Sequence, residues 1–158
     1  MQTEALIQPR KPVSGIHISS PESGTVYLLP ASQDRDGKHA YRGADAILIK
    51  QAMRDGLAVE YAVPEEDREF VEHFSSGLEV VTLTVAVLGL VPSTIQGIYA
   101  LIQLAARRKG VTEENLNTTQ VHLEIDYIKT PTTVAQGVKI SGDPHSVLEA
   151  MKKLNPEP

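Results

Sequence analysis

The side chains best suited to acid–base or metal chemistry in this sequence are five histidines and a run of carboxylates. His17, His39, His73, His122 and His145 stand far apart. They form no His-Glu-x-x-His pattern and no i,i+4 pair that would hold zinc on one helix face, so each reads as a surface or strand residue. "DRDG", with Asp34, Asp36 and Gly37, begins like a calcium loop. It lacks the third acidic ligand and the distal Glu and reads as a polar turn. Glu65, Glu66, Asp67, Glu69 and Glu72 crowd one expected helix. Two such carboxylates could move protons, but nothing apolar encloses them to separate their pKa values, so they read as a solvated helix start. No Gly-x-Ser-x-Gly elbow, phosphate loop or Gly-x-Gly-x-x-Gly turn occurs. The absence of cysteine removes thiol nucleophiles, disulfides and cysteine zinc sites. The expectation is a protein without catalytic residues, metal or cofactor. One weaker arrangement, His39 and Tyr41 with Asp36, keeps an uncommon enzyme in view.

The other unusual feature is physical. From Val80 through Ala106 no side chain is charged, and Arg107, Arg108 and Lys109 then arrive together. On a helix, Gly89, Ser93, Gln96, Gly97, Ala100 and Gln103 gather into a narrow seam of small and polar groups, while Val81, Val85, Leu88, Ile95, Ile98, Leu101 and Ile102 form the remaining surface. In a bilayer such a small-residue ladder lets a second helix come close, and about 40 Å of helix spans roughly 30 Å of hydrocarbon with tilt. In water the aliphatic side packs on a sheet, and Pro92 kinks or splits the helix. A third reading makes "EVVTLTVAV" a strand followed by the helix "PSTIQGIYALIQLAARRK". The basic flank follows the run, so the positive-inside rule would place the preceding half outside. That half lacks the apolar core of a secretory signal. The expected location is therefore cytoplasmic, with inner-membrane association through the run as an open reading, and not secreted. Arg107, Arg108 and Lys109 serve either anionic headgroups or the helix carboxyl end.

The elements around this run follow from local patterns. Residues 1–14 carry no period and read as a disordered tail, as do residues 155–158. "GIHIS" and "GTVYLL" are short strands, and "ASQDRDGKHAYRG" is a polar loop. "ADAILIKQAMRDG" is a helix with Ala46, Ile47, Leu48, Ile49 and Met53 inward and Gly56 in the left-handed terminal position. "LAVEYAV" is a strand. Pro64 opens a helix with Phe70, Val71 and Phe74 on its apolar side. "QVHLEIDYI" alternates, with Val121, Leu123, Ile125 and Tyr127 on one face; "TTVAQGVKI" returns beside it. Asp143 caps a last helix, Pro144 takes its first position, and Val147, Leu148, Met151 and Leu154 form its stripe. The fold class is α+β: one domain over residues 15–154, with a small sheet, a carboxyl-terminal β-hairpin–helix unit and a long apolar, Pro-kinked central helix over 78–108.

Composition narrows the partners. The chain has 158 residues, a net charge of −5, no Trp and two Phe, which suits one aliphatic core. It does not suit a nucleic-acid surface, which needs a dense Lys/Arg patch. The order of "GLAVEYAV", the run ending in "LAARRKG", "VHLEIDYIKTPTTVAQGVKI" and "SGDPHSVLEAMKKL", over residues 57–154, resembles the effector-associated constant components of bacterial conflict systems. The longer amino-terminal segment and Pro92 depart from that layout. The resemblance implies a non-catalytic regulatory or docking role beside an effector and carries over no catalytic residue. The expectation is a docking module of a bacterial defence system. Its central helix would serve homo-oligomerisation, effector contact or membrane association. The alternative is a soluble ligand- or peptide-binding α+β domain that buries the helix and opens a pocket beside "QDRDGKHAYRG".

Overall fold

The computed structural model describes residues 5–11, 16, 18, 20–30, 32, 33, 39–71, 80–130 and 133–154. In chain order the strands are β1 (Leu6–Pro9), β2 (Val26–Leu28), β3 (Ser32–Gln33), β4 (His39–Arg42), β5 (Val59–Tyr61), β6 (Arg68–Val71), β7 (Val80–Val87), β8 (Gln120–Thr130) and β9 (Thr133–Gly142). The helices are α1 (Gly43–Arg54), α2 (Pro92–Arg108) and α3 (Pro144–Leu154). Six strands form one sheet in the order β1-β9-β8-β7-β2-β5, and β3-β4-β6 form a second, smaller one. The fold class is α+β.

The charge-free run makes a strand and then a helix, which corrects the single Pro-kinked helix expected over 78–108; residues 78 and 79 lie outside the described ones. β7 sits inside the sheet between β8 and β2. Val81, Leu83 and Val85 pair in register with Val121, Leu123 and Ile125 on β8, and all six are at most 1% exposed. Strands buried in this way read as continuous apolar stretches, which is why strand and helix merge in the sequence. β7 and β8 are parallel, so the chain must travel back between them, and α2 is the return. Pro92 stands at the start of α2, where its missing N–H has no helical partner to lose and its fixed φ suits the helix. Ile95, Ile98, Leu101 and Ile102 are at most 3% exposed, and the helix lies on β7 and β2 with α1 and α3 beside it. At 17 residues it is about 26 Å long, short of the roughly 30 Å hydrocarbon core. Among the described residues no helix is long and apolar enough to cross a membrane.

Other elements depart from the sequence reading in instructive ways. Pro64 is followed by a single 3-10 turn, Glu65–Asp67, and then by strand β6, not by a helix. Parallel pairing of β6 with β4 overrides the helical start signal. The expected polar loop carries β3 and β4. The expected tail includes β1, paired antiparallel with β9. On α1 the buried side is Asp45, Leu48, Ile49 and Ala52, whereas Ile47 and Met53 are exposed at 49% and 57%. Gly56 adopts φ +84°, the left-handed end that glycine takes without strain. On α3, the Asp143 carboxylate accepts from the Ser146 N–H at 2.8 Å, a side-chain cap for an otherwise open amide. Residues 155–158, His17, Asp34, Asp36, Gly37, Glu72, His73 and Phe74 lie outside the described residues.

The helix-free face of the sheet is polar. Thr82, Thr84 and Ala86 lie beside His122, Glu124 and Asp126, which lie beside Ser141, Lys139 and Gly137. Asp126 is wholly buried, and Arg10 reaches it with Nε at 3.0 Å while Nη1 meets Glu124 at 2.7 Å. Gly137 makes the room. A Cβ there would stand 2.7 Å from Asp126 Oδ1, 2.8 Å from Arg10 Cγ and 3.1 Å from the Ile125 carbonyl. Gly137→Ala should therefore displace the ion cluster and cost roughly 2–3 kcal/mol, read as a lowered urea midpoint at unchanged slope.

Candidate docking cleft

Of the expected seam, Ser93 and Gln96 are exposed, Gly97, Ala100 and Gln103 are half-buried on α2, and Gly89 is half-buried in the turn before it. The seam is thus the outer side of α2, opposite the aliphatic residues that face the sheet. Its notches lie next to the chain's own β2 region. A Cβ on Gly97 would stand 3.6 Å from Val26 Cγ2, and one on Gly24 would stand 3.2 Å from Ser93 Oγ. Arg107, Arg108 and Lys109 are exposed at the end of α2, and Arg108 Nη1 donates to Gln51 Oε1 at 3.3 Å. For the enzyme reading, His39 and Tyr41 are buried two residues apart on β4. Asp36 is outside the described residues. Among the described residues no group of three His, Asp or Glu side chains could hold a metal ion.

A different place has the shape of a binding site. An open cleft of about 530 Å³ is lined by Met53, residues 56–61 and Arg68. Helix α1 delivers Met53 to its rim because Gly56 turns the chain sharply into residues 57 and 58. Its one aromatic lining residue, Tyr61, is backed by two further rings. The Tyr61 ring meets Tyr41 edge-on at 5.0 Å, and Phe70 lies 6.0 Å from both. Edge-to-face packing of this kind matches the positive ring edge to the negative ring face. The Arg68 guanidinium lies over Tyr61, 3.9 Å from the ring centre, and its Nε donates to the Val63 carbonyl at 2.7 Å. Tyr41 is fully buried and donates its hydroxyl to the Leu28 carbonyl at 2.7 Å, tying the small sheet to the large one. Phe70 remains 47% exposed at the margin of this cluster.

The cleft runs beside an open sheet edge. Among the described residues β5 has one neighbour, β2. In that parallel pair the Val26 N–H donates to Ala58 and the Ala62 N–H donates to Leu28, each at 2.9 Å. Main-chain groups alternate direction along a strand, so the N–H and C=O of Tyr61 turn away from β2. The far edge, β1, is different. The Arg10 N–H donates to the Gly137 carbonyl at 3.1 Å, so alternation turns Ile7 and Pro9 outward, and Pro9 has no N–H to present. Proline is one of the usual means of blunting a sheet edge. Among the described residues one edge of the sheet is blunted and the other lies open beside a cleft.

None of these residues stands out in the sequence. The local pattern puts Met53 on the inward side of α1, and Arg68 and Tyr61 belong to different sheets. Only the exposure of Met53 and Phe70, two large apolar side chains, marks the place. Comparison with protein-family models, curated proteins and solved structures finds no match to this chain.

Burial raises the Tyr41 phenol well above its ordinary value, against the opposing pull of backbone hydrogen bonds from Val63 and Ala62 and of the Arg68 charge. Tyr61 is also raised, chiefly by burial, with Arg68 opposing and Asp45 assisting. An unfolded tyrosine loses its proton near pH 10, whereas folded Tyr41 keeps it. The folded state then binds more protons, so stability is intact below pH 10 and falls above it, by about 1.4 kcal/mol per pH unit for this one group. Urea midpoints taken on both sides of that pH should show the slope, and Tyr41→Phe should flatten it. On α2, Gly97→Ala meets only ordinary contact and should stabilise the chain by about 0.5–1 kcal/mol through helix propensity. Thermal unfolding measures it.

Proposed function

We propose that this chain is a non-catalytic docking module that takes an extended peptide segment of a partner protein as an added strand on β5. The observation that carries this reading is the outward-turned main chain of Tyr61 beside the 530 Å³ cleft. Strand addition draws its affinity from main-chain hydrogen bonds and its selectivity from pockets for alternate side chains. β5 supplies the first, and the apolar rim at Met53 and Leu57 supplies the second. The edge is three residues long, so two or three main-chain bonds are available, and the cleft must contribute the remaining contact.

This reading keeps the regulatory or docking role implied by the layout resemblance, with the effector supplying the bound segment, and joins it to the peptide-binding alternative. It moves the contact surface from α2 to β5. The apolar side of α2 lies against the chain's own strands, and the strip left outside is built of Ser93, Gln96, Ala100 and Gln103, with only the basic flank charged. That strip offers a partner little apolar area.

A library of random ten-residue peptides, displayed and selected on the folded chain, tests the proposal. Selected peptides should protect the Tyr61 amide from hydrogen exchange and shift the amide resonances of residues 57–61. N-methylation at alternate peptide positions should weaken binding at least tenfold in one register and little in the other, since only one set of amides faces β5. Protection confined to residues 93–103 would instead assign the contact to α2 and overturn the reading.

A further inference from the structure

Arg68 is held in place more firmly than a surface arginine in an open cleft ordinarily is. Its Nε is committed to the Val63 carbonyl at 2.7 Å, and its plane is supported by the Tyr61 ring at 3.9 Å. Tyr61 is fixed in turn by Tyr41 and Phe70. The two terminal nitrogens have no hydrogen bond and no ion pair among the described residues, although Glu65, Glu66, Asp67 and Glu69 are its neighbours in sequence. A guanidinium offers five donors in a planar fork that matches a carboxylate with two parallel bonds. Held by one edge, with its terminal nitrogens unclaimed beside the cleft, Arg68 is organised in advance for such a pairing. Little side-chain entropy then remains to be lost on binding.

We propose that the segment docked on β5 carries an Asp or Glu side chain and that Arg68 receives its carboxylate. The inference rests on the strand-addition reading and specifies the occupant within it. An acidic side chain fits better than a free chain end. Capture of a terminal carboxylate ordinarily uses several backbone N–H groups around one point. Here the Ala62 N–H is already bonded to the Leu28 carbonyl and the Val59 N–H to the Leu57 carbonyl. The arginine fork is the cation offered at the cleft, and it suits a side chain that reaches in from a continuing strand. Glu60 also lines the cleft and would repel a second acid, which limits the segment to one carboxylate at a fixed register.

The test uses the same display selection with the intact chain. Peptides recovered on the parent should concentrate Asp or Glu at one position, with amidated and free carboxyl ends equally represented. For the best peptide, replacing that Glu by Gln should weaken binding about tenfold on the parent. It should have little effect on Arg68→Gln, where the fork is gone. Arg68→Lys, which keeps the charge without the planar fork, should recover only part of the difference, and higher salt should narrow it. Equal losses for the Glu-to-Gln peptide on the parent and on Arg68→Gln would overturn the carboxylate pairing while leaving strand addition standing. Enrichment of a free chain end without an acidic side chain would overturn it in favour of terminal capture. Peptides that neither protect the Tyr61 amide nor respond to N-methylation would remove the site itself, a result readable before any Arg68 variant is made.

Discussion

The parallel contact between β7 and β8 is the constraint from which most of this fold follows. Two adjacent parallel strands cannot be joined by a turn, so residues 88–119 must carry the chain back to the start of β8. α2 makes that journey across the sheet, and its aliphatic side is buried in doing so. β7 has a strand on each side and a helix over one face, and its other face is half-buried. Thr82 and Thr84 are its only polar side chains. Most apolar side chains of the long uncharged stretch thus lie against the chain's own strands and helices. α1 and α3 flank α2 over the same sheet, so the position of one helix sets those of the other two.

How far these elements could be read from sequence depended on how local their causes were. α3 declares itself through Asp143 and Pro144, both acting within one turn, and β8 through strict alternation over Val121, Leu123 and Ile125. Gly56 marked the end of α1 because a positive φ is a property of one residue. The failures had distant causes. Pro92 carries the same letter whether it bends a long helix or begins a shorter one; only the pairing of Val80–Val87 with β8 decides. The acidic residues after Pro64 form one 3-10 turn because β4 captures the next four residues. β1 has no period to detect, and its seat is made by Arg10, Gly137 and Asp126, which meet from three parts of the chain. The cleft belongs to this second class. Met53, Tyr61 and Arg68 come from a helix end and two different sheets, and no spacing rule joins them.

The two polar arrangements of the molecule are used differently. Around Asp126, a wholly buried carboxylate is paired with a nearly buried arginine, and a glycine on β9 leaves space for them. Around Arg68 the guanidinium is supported on one edge and stays in contact with solvent. The first arrangement pairs its charges within the chain. The second holds donors in position without an internal carboxylate among the described residues, which is why it, and not the larger cluster, offers chemistry to another molecule.

The pairing of Leu6 with Ser141 and of Pro9 with Val138 carries a consequence for biosynthesis. Of the described strands β1 is the earliest in the chain and its neighbour β9 the latest, so β1 waits through the synthesis of more than a hundred residues before its place exists. Contacts so remote in sequence form late and slowly, and strands that wait unpaired are open to wrong partners. Pro9 and the charged Arg10 stand at the end of that waiting strand. The features that blunt its edge in the finished sheet also protect the nascent chain during this interval.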